Sequence, residues 1–179
     1  MYDPNSPYYI QTAYGGYSPC IQGNNAYGLR PFTGSVLPNC VGFIVGAFNE
    51  RLALGACTWL GSVNARNLLS LAQSQGLPTG NDAVAGGVIC WWSADAGHAA
   101  FIDSVVDANT VITKESGWTY TTGPIIRTYT RHRTGGAWQF MSGYTYQGVI
   151  YPPGTPPQPG VITDEELGVL RCILNLEDD

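Results

Sequence analysis

Little of this sequence is charged. Asp, Glu, Lys and Arg make up 12% of its 179 residues, about half the usual share. The balance is acidic, with a formal net charge of -5 and a pI near 4.8. That argues against nucleic acid as the main partner. No apolar run approaches the roughly 18 residues that a membrane span needs, so no membrane association is expected. The start, Met1-Tyr2-Asp3-Pro4, has neither a basic n-region nor an apolar h-region, the pattern of a chain without a secretory signal. Cys20, Cys40, Cys57, Cys90 and Cys172 form no C-x-x-C pair, so no structural zinc is expected. Five cysteines also leave at least one thiol outside any disulfide framework. There is no internal repeat and no phosphate-binding glycine loop, and no metal or cofactor is expected.

What is present describes one domain. The length allows a single real core, and 44% hydrophobic residues exclude wholesale disorder. The 23 Gly and 12 Pro point to a loop-rich, β-leaning fold. Residues 1–38, rich in Gly, Pro, Asn and Tyr, read as a loop lead-in. The run Cys40–Leu54 then places Val41, Ile44, Val45, Phe48 and Leu52 on one helical stripe, with Asn39 as N-cap behind Pro38. A second helix is expected over Val63–Gln75, ended by Gly76 and Pro78.

The period then changes. Gly87–Trp92, His98–Val106, Thr110–Glu115, Ile125–Thr130 and Thr145–Tyr151 are short β-branched and aromatic runs between turn residues. Helices followed by an antiparallel meander make an α+β pattern. A Pro-rich linker follows at 152–162, centred on YPPGTPPQPG (Tyr151–Gly160). Thr163 and Glu166 form a capping box for an apolar C-terminal helix over 163–179, which reads as a docking element.

Two residues at element boundaries suggest chemistry. Cys40 opens the first helix, where unpaired backbone N–H groups favour a thiolate and can donate to an oxyanion. His98, 58 residues later, opens a strand and can act as a base. Asn39 reads either as the helix cap alone or as a side chain that also lines an oxyanion hole. An imidazole base needs an acceptor for its second nitrogen, and hairpin geometry nominates Glu115. A four-residue loop over Val106–Asn109 would set His98 opposite Gly117, with Glu115 on the same face two positions away. A three-residue loop would put Glu115 on the wrong face unless a bulge intervened.

The order Cys, His, Glu is carried by N-C-V-G-F, G-V-I-C-W, G-H-A-A-F-I-D-S-V and I-T-K-E-S-G-W. It resembles the CHAP family, the cysteine- and histidine-dependent amidohydrolase/peptidases. The likeness is closest to lysis and tail-associated proteins of bacteriophages of Gram-positive bacteria, over about residues 24–152. The resemblance implies a papain-like core over 39–151, with the nucleophile's helix packed on an antiparallel sheet that carries the base. It implies hydrolysis of an amide bond in peptidoglycan, by an endopeptidase or an N-acetylmuramoyl-L-alanine amidase. Cys40 would be the nucleophile, His98 the general base and acid, and Glu115 the third member. Many relatives carry Asn two residues after that Glu, where this chain has Gly117.

Trp92 and Trp118 are candidates to line a groove for a sugar-peptide strand, the other reading being core. Lys114, Arg127, Arg131 and Arg133 read either as a patch for wall phosphates or as a solvated hairpin face, with His132 at the surface. The C-terminal helix would dock other phage tail subunits, placing the protein in the virion tail or in the host cytoplasm before release to the wall. Two alternatives stand beside this reading. One is a tail structural protein with a CHAP-like fold and reduced or no activity, motivated by Gly117 and the final helix. The other is an NlpC-type γ-D-glutamyl endopeptidase, which shares the papain-like layout.

Overall fold

The structure, a computed structural model, describes residues 2–11, 20–22, 33–54, 58–61, 63–117, 119–120 and 122–155. Trp118, the linker beyond residue 155 and the helix expected over 163–179 lie outside the described residues. Within them the chain forms the expected α+β arrangement, two short helices and an antiparallel sheet that curls. No helix among the described residues is long and apolar enough to cross a membrane.

Helix α1 spans Cys40–Arg51. Asn39 stays extended (φ -166°) and its Oδ1 accepts the Gly42 N–H at 2.8 Å, so the helix starts at Cys40 as the sequence predicts. The single apolar stripe does not hold: every residue from Val41 to Asn49 is buried. The reason lies in residues 1–38, which read as loop but contain three short strands. They are β1 (Tyr9–Gln11), β2 (Cys20–Gln22) and β3 (Thr33–Leu37), a small sheet in the order β1-β3-β2. This sheet covers the face of α1 that would otherwise meet solvent. Two glycines permit the approach. A Cβ at Gly42 would overlap the Val36 carbonyl oxygen, and one at Gly46 would overlap the Tyr9 ring. The Tyr2 and Tyr9 rings then pack on Phe43, with centroids 5.4 and 6.1 Å away.

The second helical stretch is shorter than expected. A 3-10 turn (Ala65–Asn67) runs into α2 (Leu68–Ser74). The Arg66 N–H is committed to the Ala96 carbonyl at 2.8 Å, which ties this turn to the loop before His98.

The large sheet contains β4 (Thr79–Gly80), β5 (Val88–Trp92), β6 (His98–Asp107), β7 (Thr110–Glu115), β8 (Arg127–Thr134), β9 (Ala137–Trp138) and β10 (Thr145–Ile150). Its order is β4-β10-β5-β6-β7-β8-β9, antiparallel throughout. Alternation divides its side chains into two cores. Val88, Cys90, Ala99 and Phe101 meet α1, while Ile89, Trp91, Ala100, Ile102 and Val111 fill the other face. That second face covers itself. Trp91 on β5 donates its indole N–H to the Trp138 carbonyl on β9 at 2.6 Å, although three strands separate β5 from β9 in the sheet.

The β6–β7 hairpin reaches the expected register by another route. Asp107 pairs with Thr110, so the turn is two residues, not four. Two bulges follow, between Val105 and Asp107 and between Ile102 and Ser104, each adding one residue to β6. Phe101 then pairs with Lys114, which sets Ala100 opposite Glu115 and His98 opposite Gly117. Without either bulge Glu115 would oppose Ile102, four residues from His98. With one bulge it would oppose Phe101, on the reverse face.

Because Gly42 admits the Val36 carbonyl against the first turns of α1, Gly42→Ala is expected to destabilise the protein. Overpacking against backbone costs about 1–3 kcal/mol, and urea unfolding measures it.

Candidate active site

Each of the three candidate residues sits where a local feature aims it. Cys40 is the first residue of α1, held by the Asn39 cap. His98 is the first residue of β6, delivered by Gly97 at φ 75°. A side chain at Gly97 would run into the Trp91 carbonyl and the Arg66 backbone. The Gly97 N–H is also held, by Ser93 Oγ at 2.9 Å. Glu115 is the last residue of β7, carried to the site by the doubly bulged register.

The structure brings these three together. His98 Nε2 lies 2.9 Å from Glu115 Oε2, and the Cys40 thiol lies near enough to the imidazole for each to shift the other's ionisation. With Nε2 committed to a carboxylate, Nδ1 is the ring nitrogen left for the thiol. The Ala99 and Val41 backbones also favour the ionised sulfur. Exposure falls along the row. Cys40 is partly exposed, His98 is 8% exposed and Glu115 is 0% exposed.

Burial and partners compete for each proton. For Cys40, burial resists the thiolate, but hydrogen bonds and charge from His98, with those from Ala99 and Val41, win and lower the thiol below its ordinary value. For His98, burial resists the imidazolium, yet the bonds to Cys40 and Glu115 push its pKa up to about 9. For Glu115, burial alone would keep the carboxyl neutral; His98 and Arg131 instead hold it at about 2. The arrangement therefore favours a thiolate–imidazolium pair backed by a carboxylate. The neighbouring Cys90 is also free, but it is fully buried and burial pushes its thiol up.

Asn39 serves as the cap, its Oδ1 spent on Gly42. Trp92 is 43% exposed at the end of β5, open to a ligand, whereas Trp91 beside it is core. Gly117 packs beneath the Tyr120 ring, which an added Cβ would meet at 3.2 Å.

The basic residues correct the sequence reading. They do not share one face: Arg127, Arg131 and Arg133 lie on the half-buried face of β8, and Lys114 lies on the other side of the sheet. Arg127 Nε and Nη2 donate to the Pro124 and Thr122 carbonyls, each at 3.1 Å. Arg133 pairs with Asp82 at 2.8 Å. Lys114, on the opposite face, donates to Thr128 Oγ1 at 2.8 Å, and His132 is exposed. Arg131 is the residue that sequence reasoning missed: its Nε and Nη2 grip the two oxygens of Glu115 at 2.7 and 2.6 Å. The signal was R-x-Y-x-R-x-R, which puts Arg127, Tyr129, Arg131 and Arg133 on one strand face; only the inward direction of Glu115 tells which way that face turns. Thr113 Oγ1 completes the carboxylate's shell at 2.6 Å from Oε1.

No family model matches the chain, and no curated protein matches it.

The shifts set the pH dependence of stability. Glu115 has a folded pKa of about 2, below its ordinary value of 4.5, so its contribution is present above pH 4.5 and is lost as pH falls toward 2. The raised His98 loses its contribution as pH rises from 6.5 through about 9, while the lowered Cys40 gains over the upper part of that range, so the two oppose each other. The steep limb is therefore the acid one. Glu115→Gln is expected to be less stable near neutrality and to show a shallower loss between pH 4.5 and 2, as measured by urea unfolding at stepped pH.

Proposed function

We propose that this protein is a cysteine-dependent amide hydrolase of the CHAP type, acting on the wall peptide of peptidoglycan. The observation that carries the reading is the contiguous row Cys40, His98, Glu115, with the thiol at a helix N-terminus and the imidazole held between thiol and carboxylate. A buried hydrogen-bonded row of this kind has no need of a nucleophilic end unless that end reacts. The partly exposed Cys40 is such an end. A helix that starts with the thiol and lies on the sheet that carries the base is also compatible with the papain-like layout of that family.

In the proposed reaction the Cys40 thiolate attacks the amide carbonyl carbon. The developing oxyanion is stabilised by N–H groups at the start of α1. His98 gives its Nδ1 proton to the leaving amine as the C–N bond breaks, leaving an acyl-enzyme thioester. His98 then takes a proton from water, whose oxygen attacks the thioester and returns the thiol. Glu115 stays ionised throughout and fixes the imidazole tautomer. The choice of wall peptide, and of a phage lysis or tail-associated protein as its bearer, rests on the resemblance of the sequence motifs. Trp92, one residue along β5 from the Trp91 that pairs with His98, offers an exposed aromatic face for such a strand.

Purified protein is expected to clear susceptible Gram-positive walls and to release muropeptides with new free amines on stem or bridge residues, read by mass spectrometry. Cys40→Ala is expected to remain folded and to lose more than about a thousandfold of this activity. Equal clearing by the variant would sink the proposal.

A further inference from the structure

Glu115 faces two arginines on β8, and only one of them reaches it. Arg127 is its direct cross-strand partner. That guanidinium nonetheless turns away to the Thr122 and Pro124 carbonyls, with its carbon 3.8 Å from the Tyr120 ring centroid. Arg131, opposite Val111, reaches along the strand face instead and binds both carboxylate oxygens. Its side chain is 15% exposed. Its guanidinium lies over Phe140 at 4.6 Å and Tyr129 at 4.8 Å. Phe140 also stacks on His98, with centroids 4.4 Å apart and planes 12° apart. Arg131 and His98 thus share one carboxylate oxygen, Oε2, beneath one aromatic ring.

We propose that Arg131 is a positioning residue: its two-point grip fixes the rotation of the Glu115 carboxylate, and through it the aim and charge of His98 toward Cys40. This rests on the reading of Cys40, His98 and Glu115 as the reacting row. A carboxylate buried between strands has two oxygens and a free terminal torsion. A bidentate fork removes that freedom, and a lysine cannot reproduce it. The other titratable groups around the carboxylate do not replace it. Tyr129 and Tyr120 hydrogen-bond each other at 2.7 Å, and Cys90 on β5 is fully buried. Once the arginine is gone, a buried anion is left with His98 and Thr113 alone. Burial then favours its protonation, the imidazolium loses its counter-charge, and the Cys40 thiolate loses its partner in turn.

The test is the pH dependence of Cys40 alkylation by iodoacetamide, followed by mass spectrometry of the peptide that holds Cys40. In Arg131→Met the midpoint of the reactivity profile is expected to rise by about one unit, which is about tenfold slower reaction at pH below the midpoint. Arg131→Lys, which keeps the charge without the fork, is expected to fall between. A folded Arg131→Met with the wild-type alkylation profile, even at reduced resistance to urea, would show that the arginine only braces the strands and would overturn the proposal. Should Arg131→Met fail to fold by circular dichroism, Arg131→Lys decides, and an unchanged midpoint there overturns it. The measurement uses no wall substrate. A shifted profile without wall hydrolysis by either protein would count against the hydrolase reading and in favour of Arg131.

Discussion

An ionised carboxylate taken fully out of water is destabilising by several kcal/mol unless donors replace the lost hydration. Glu115 is such a group, with no exposed surface. Its donors come from three strands: His98 from β6, Thr113 from its own β7, and Arg131 from β8. All three must point to one face within reach of one carboxylate, so the carboxylate constrains the registers of two hairpins together. The two bulges in β6 are part of that constraint. Each by itself would turn His98 and Glu115 to opposite faces, and only the pair restores them.

The thiol is set by a different means. A side chain at a helix end is placed only as accurately as the helix, and α1 is fixed by burial on every side. Gly42 and Gly46 let β3 and Tyr9 close on one face, and Phe101 and Ala99 of the large sheet lie against the other. Asn49, buried inside the helix's last turns, binds the Val45 and Trp59 carbonyls and the Trp59 N–H, tying the following loop to the same rod. The residues that present Cys40 are thus the same residues that make the larger core.

Much of this was legible in the sequence. The Asn39-Cys40 boundary announced itself by cap chemistry after a proline. The start of β6 and the whole of β7 followed from short β-branched runs between turn residues, and an assumed four-residue loop brought Glu115 toward His98. Legibility failed where the deciding partner lay elsewhere in the fold. The tight Ala108-Asn109 turn with two bulges leads to the same pairing at His98 as one longer loop, so the pattern could not separate them. β1 and β3 pair in parallel across more than twenty residues, and strands of three to five residues carry too little alternation to show it. Without that sheet, α1 reads as a one-sided helix. Arg131 alternates as a residue on an exposed edge would, and its inward direction follows only once Glu115 is known to be buried.

Placed in order, Cys40, His98, Glu115 and Arg131 form a row whose charges alternate when the thiol is ionised. The row runs from α1 across β6 and β7 to β8. Each inner member lies between two opposite charges, and the four together carry no net charge, so no long-range field is needed to hold it. One end, Arg131, closes against the faces of Phe140 and Tyr129, where a guanidinium is well accommodated. The other end, Cys40, is partly exposed and carries the thiol. Reaction at that end removes a single negative charge and leaves the imidazolium with a proton that its other partner, an acceptor already gripped by Arg131, has little tendency to take. In the proposed hydrolysis the proton would therefore go outward, to the leaving amine, because the inward route is closed by a carboxylate held far below its ordinary pKa, at about 2.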